Sequence, residues 1–150
     1  MSMTMEVTAS GPVPRLRWQE AARAWAGEAT PMGMALLRAH TPVGFGPHAG
    51  ALRQSERARV EESEGSMMVV FYTRKYYARY VLEGTKAHVI TVRNARALRW
   101  VDRVGNPSFA VRVNHPGTKA DPFPERALAR LRPALAHLFA RCVKEACHLG

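Results

Sequence analysis

Cysteine is almost missing from this chain: Cys142 and Cys147 are the only two. They lie five residues apart on a stretch with helical periodicity, so they do not share a face. That spacing excludes a disulfide framework and makes a poor thiolate metal site, and both thiols read as small apolar filler near a helix end. Long apolar runs are missing too, and none approaches the roughly 20 residues of a membrane span. Met1 to Pro14 has neither the charged start nor the apolar centre of a signal peptide, so synthesis in the cytoplasm is expected. Residues 1–14, with their Thr, Ser, Gly and Pro, are expected to form a flexible arm.

The spacings that carry chemistry are also missing. His40, His48, His88, His115, His137 and His148 share no ligand spacing, and carboxylates are scarce near them. No glycine-rich loop has the strand–loop–helix context or the Lys-Ser/Thr ending of a phosphate cradle. No serine sits in a nucleophile elbow. Glu83 with His88 or His115 is one arrangement that could serve as an acid–base pair, but no second polar group nearby in sequence orients it. No enzymatic activity, metal or cofactor is expected.

Acidic residues are few. Twelve Asp/Glu face 22 Lys/Arg, a formal charge of +10, and 18 of the 22 are Arg. Residues 1–75 hold nine basic and seven acidic residues, and residues 76–150 hold thirteen and five. Such a balance favours a polyanionic neighbour, either nucleic acid or an acidic protein surface. Arg also serves protein interfaces, because its planar fork makes bidentate pairs.

What the chain does have is periodicity. The length of 150 residues and an apolar fraction of 47% fit one globular domain. Trp18, Ala22, Trp25, Ala26 and Ala29 form one stripe of a helix from about Leu16 to His40, which Pro31 and Gly33 are expected to kink or split. Residues 42–50 form a loop rich in Gly and Pro. Residues 51–62 read as an edge strand, with a turn at 63–66. The run Met67–Tyr72 reads as a central strand buried on both faces. Lys75 to Leu82 is a short helical segment, ended by Gly84. His88–Val92 is a strand. Residues 97–104 and 109–113 alternate about Gly105-Asn106-Pro107 as a hairpin. Its one face carries Leu98, Trp100 and Phe109; the other carries Arg99, Arg103 and Arg112. That arginine face reads as a solvated surface, a protein interface or a nucleic-acid contact.

Pro116-Gly117 is then a turn, Asp121 stands as a helix N-cap, and Pro122 opens a helix running to about Ala146. Leu128, Leu131, Leu135, Leu138, Cys142 and Val143 form its core stripe, with Pro133 interrupting it. Phe123 is placed to seat that helix. The sum is an α+β fold: an antiparallel sheet of about four strands packed against an N-terminal helix and a long C-terminal helix, in a single domain over 15–150.

Three stretches, taken in order, carry a family resemblance. They are Gly50-Ala-Leu-Arg-Gln-Ser55, Tyr77-Ala-Arg-Tyr-Val-Leu-Glu83-Gly84-Thr85, and His115-Pro116-Gly117-Thr118-Lys-Ala-Asp-Pro122-Phe123 leading into Pro124-Glu-Arg-Ala-Leu128. Over about residues 17–146 the chain resembles the tail-completion family of long-tailed bacteriophages and phage-derived particles, also called neck or head–tail joining proteins. The resemblance implies a structural virion protein made in the bacterial host cytoplasm. It implies a homo-oligomeric ring, commonly a hexamer, in the neck between head and tail. Its neighbours would be a connector or stopper ring and a tail-terminator or tail-tube ring, with genomic DNA passing through the lumen. The motif turns at Glu83, Gly84, Thr85, His115, Pro116, Gly117 and Thr118, with Pro122 and Phe123, then serve to fix loops. Arg99, Arg103 and Arg112 are expected at an interface or in the lumen. The competing readings are a tail-terminator ring and a small basic nucleic-acid-binding protein acting alone.

Overall fold

A computed structural model describes residues 2–8, 15–44, 48–63, 65–102 and 104–148. The fold is mixed α+β with antiparallel strands. A single domain was expected over 15–150, but the chain divides into two compact units: Met1–Thr41 with Ser55–Arg74 and Phe123–Gly150, and Pro42–Gln54 with Lys75–Pro122.

The first unit is built on two long helices, α1 (Arg15–His40) and α4 (Phe123–His148). Between them in the chain come the short helices α2 (Ala51–Ser55) and α3 (Ala78–Glu83). The apolar stripe of α1 is buried as its spacing requires: Trp18, Ala22, Trp25, Ala26 and Ala29 are all in the core. The helix does not split at Pro31 but runs through it. Proline cannot donate to the carbonyl one turn back. In that turn the Thr30 hydroxyl donates to Ala26 O at 2.7 Å.

α1 lies along α4 and also against the sheet. The two helices are antiparallel. Arg17, near the start of α1, donates to Ala146 O at 2.8 Å, near the end of α4, where a cation also suits the helix dipole. Trp18 meets Phe139 edge-on at 5.6 Å between ring centres. On α4, Leu131, Leu138 and Cys142 are buried, whereas Leu128, Leu135 and Val143 are half-buried.

The sheet of this unit has three strands in the order β1-β3-β2, all antiparallel: β1 (Ser2–Thr8), β2 (Arg57–Ser63) and β3 (Ser66–Tyr72). β3 is the central strand, with Met67, Val69, Val70 and Phe71 buried. β2 is an edge, although residues 51–55 are helical rather than part of it. Over residues 2–8, β1 stands where a flexible arm was expected at 1–14, and the rest of that stretch lies outside the described residues. The β1 backbone completes the open side of β3, whose unpaired ladder groups would otherwise need another partner. At Gly33 of α1 an added Cβ would collide with the Phe71 ring, so this glycine is the socket that lets helix and sheet close.

The second unit holds α3 and four short strands: β4 (His88–Thr91), β5 (Leu98–Val101), β6 (Pro107–Ala110) and β7 (Arg112–His115). They do not join the main sheet. β4 pairs with β7, and β5 with β6, as two separate ribbons. This is why no sheet reaches the expected four strands.

Candidate functional site

The two ribbons are consecutive parts of one arm. Going outward, Thr85 bridges Thr118, His88 pairs with His115, and Thr91 pairs with Arg112. Val92 N–H then donates to Val111 O at 3.2 Å. Beyond that the register jumps, because Leu98 pairs with Ala110. Residues 93–97 are therefore extra on the outgoing side and bend away from the ladder. The arm ends in a turn held by Asp102. Its carboxylate accepts the N–H groups of Val104 at 2.9 Å and Asn106 at 2.8 Å. These bonds, that from Asn106 first, hold the Asp102 carboxyl below its usual range against the opposing effect of desolvation.

At the root, the two Gly-Thr motifs lie against one another. Thr85 N–H donates to Thr118 O at 2.9 Å, and Thr118 N–H to Thr85 O at 3.0 Å. The two hydroxyls are 3.1 Å apart. The glycines make this approach possible. Gly84 has φ +72° and Gly117 has φ +89°. A Cβ on Gly84 would strike Thr118 O, and one on Gly117 would strike Thr85 O. Each glycine thus makes room for the carbonyl beside the other motif.

One step outward, the His88 and His115 rings stand 5.0 Å apart. His115 Nδ1 accepts the Gly117 N–H at 3.1 Å, which requires its proton on Nε2. His88 Nδ1 reaches Lys86 O at 2.8 Å and must therefore be the protonated nitrogen. The turns beside them thus use the two Nδ1 atoms in opposite roles, as donor in His88 and acceptor in His115. Glu83, exposed at the end of α3, makes no hydrogen bond to either histidine among the described residues. Nor could any group of three His, Cys, Asp or Glu among those residues hold a metal ion.

The arginine face expected from alternation is not one face. Arg99 lies on β5 opposite Phe109, and Arg112 lies on β7 opposite Thr91, in different ribbons. Arg103 lies outside the described residues. Leu98 and Trp100 share the other face of β5 with Ala110 and Ser108, so Phe109 is on the arginine side. The alternation expects Phe109 beside Trp100, but the register across the turn between β5 and β6 pairs Trp100 with Ser108 and Arg99 with Phe109. Arg99 and Arg112 are both exposed. The apolar residues around them are exposed as well: Trp100 is 42% accessible, Phe109 63%, Val111 62% and Val104 85%. Pro116 and Pro122 are exposed, and Phe123 is buried as the first residue of α4, which starts one residue later than expected.

A polar cluster in the first unit escaped the sequence reading. Buried Thr41 has its hydroxyl within bonding reach of Leu37 O and of the buried Glu56 carboxylate, and Ser55 Oγ meets Thr73 Oγ1 at 2.7 Å. Thr41, Ser55 and Thr73 stand at or beside three of the points where the chain passes between units.

No helix among the described residues is long and apolar enough to cross a membrane. The chain matches no family model, and neither a characterised protein nor a solved structure is significantly similar to it.

Proposed function

We propose that this chain is a structural virion protein of a long-tailed phage or phage-derived particle, forming a ring in the neck that joins the DNA-filled head to the tail. It works without a catalytic step or cofactor. The observation that carries the reading is the arm. A two-stranded ribbon is marginal by itself in water, and this one leaves Trp100, Phe109 and Val111 exposed. Apolar surface left exposed on a ribbon is surface to be covered by a partner. A copy that offers its arm to a different surface of the next copy makes a head-to-tail contact, which closes into a ring when the rotation is right. The ordered motifs support the same reading. Glu83-Gly84-Thr85 and Pro116-Gly117-Thr118, far apart in sequence, meet as one clamp at the base of the arm.

The test is genetic and structural. Without this protein, filled heads and finished tails should accumulate unjoined, and reversing the charge at Arg99, Arg103 and Arg112 together should do the same. Normal infectious particles from either variant contradict the proposal. Filled heads attached to tails of uncontrolled length would favour a tail-terminator ring instead.

A further inference from the structure

The chain handles its arginines in two ways. On the helices and main sheet several are neutralised within the molecule: Arg23 meets Glu62 at 2.9 Å, and Arg59 and Arg141 pair with Glu61 and Glu28. The second unit has no comparable supply of acid. It holds ten Lys/Arg and three Asp/Glu, a net of +7. Between residues 88 and 115 the sole acid is Asp102, and its carboxylate is engaged by the turn at the tip.

Arg93, Arg96, Arg99 and Arg112 are all exposed, and none of them is in an ion pair with a carboxylate among the described residues. They also lie close together along the arm. Arg93 and Arg96 are on the 93–97 insertion, Arg99 is in the second position of β5, and Arg112 follows Val111 at the start of β7. All four stand where one ribbon hands over to the other.

We infer that this handover point binds the phosphate backbone of duplex DNA. Four exposed guanidinium groups clustered without internal carboxylate partners attract an anion, and arginine fits phosphate bidentately. A second copy's arm does not supply that counterpart, since it carries the same net charge and would be repelled. A two-stranded ribbon is also an element that the B-form major groove admits, whereas the deep, narrow major groove of A-form RNA does not. The inference rests on the neck reading for the source of the duplex and for nothing else.

The experiment measures anisotropy of a labelled mixed-sequence duplex titrated with the full chain at several NaCl concentrations. Four phosphate contacts give a slope of log affinity against log salt of about −3.6, so a fourfold rise in salt weakens binding about 150-fold. Replacing Arg93, Arg96, Arg99 and Arg112 with Gln should flatten that slope by about one for each arginine lost. Arg130 and Arg132, exposed on α4, provide the control, and R130Q/R132Q should leave the slope unchanged. Should the quadruple variant fail to fold, R96Q alone, on the exposed insertion, should still reduce the slope by about one.

The inference is overturned if the chain does not bind duplex, or if R130Q/R132Q weakens binding as much per arginine as the arm variants do. It is also overturned if polyglutamate competes as well as duplex of equal charge, which would make an acidic protein surface the partner. Sedimentation of the same samples reads ring formation separately. Rings that ignore DNA reject this inference alone, and DNA binding by a chain that never forms rings rejects the neck reading alone.

Discussion

Gly84 and Gly117 face one another across the root of the arm, and each has a backbone conformation that a side chain would oppose. Gly84 pairs φ +72° with ψ −176°, a region open essentially to glycine alone. Gly84→Ala should therefore cost about 1–3 kcal/mol from backbone strain, with a further penalty where the new methyl meets Thr118 O. Hydrogen exchange at the Thr85 and Thr118 amides should speed up; unchanged protection would show that the clamp tolerates a side chain. Phe123 is only 1% accessible, so Phe123→Ala should lower stability by about 3–5 kcal/mol in a denaturant melt. A loss below about 1 kcal/mol would mean that the site collapses around the smaller residue. The importance of these positions is visible in the sequence as turn chemistry and as a large apolar residue within a polar stretch. Their partners are not visible, because Gly84 meets Thr118 only through the arm's long-range register.

Among the elements, the arm tip responds to acid. The bonds from Asn106 and Val104 depress the Asp102 carboxyl, so the stabilisation is present above the unfolded carboxylate value, near pH 4. It is lost as pH falls from there through the lower folded value. The Val104 and Asn106 amide resonances should shift in that window, and D102A should abolish the shift. Amides that do not move in the wild-type chain would show that the turn holds without the carboxylate. The long helices were the most legible elements, since a stripe such as Trp18, Ala22, Trp25, Ala26 and Ala29 leaves little choice of face. β3 was legible for the same reason, as an apolar run bounded by turns. The outer hairpin was legible as a hairpin but not in its faces. Alternation within each strand does not determine the register across the turn that joins β5 to β6, and that register puts Phe109 on the side of Arg99.

On the scale of the whole molecule, the sequence indicated an α+β class and the two terminal helical layers. It did not indicate that β1 would complete the main sheet, because Met1 to Pro14 carries weak β signals among Ser, Thr, Gly and Pro. It also did not separate the arm from the sheet, since pairing partners are set by tertiary contacts rather than by local pattern. The molecule combines one unit with a built core and one unit whose strands remain largely exposed. Oligomerisation through the arm is the central claim, and native mass spectrometry of the full chain, compared with a chain whose arm is shortened by removing residues 93–110, tests it most directly. The full chain should appear as a closed ring, with a hexamer the expected count, and the shortened chain as a folded monomer. A full chain that stays monomeric at every concentration, or a ring that survives the loss of the arm, would contradict it.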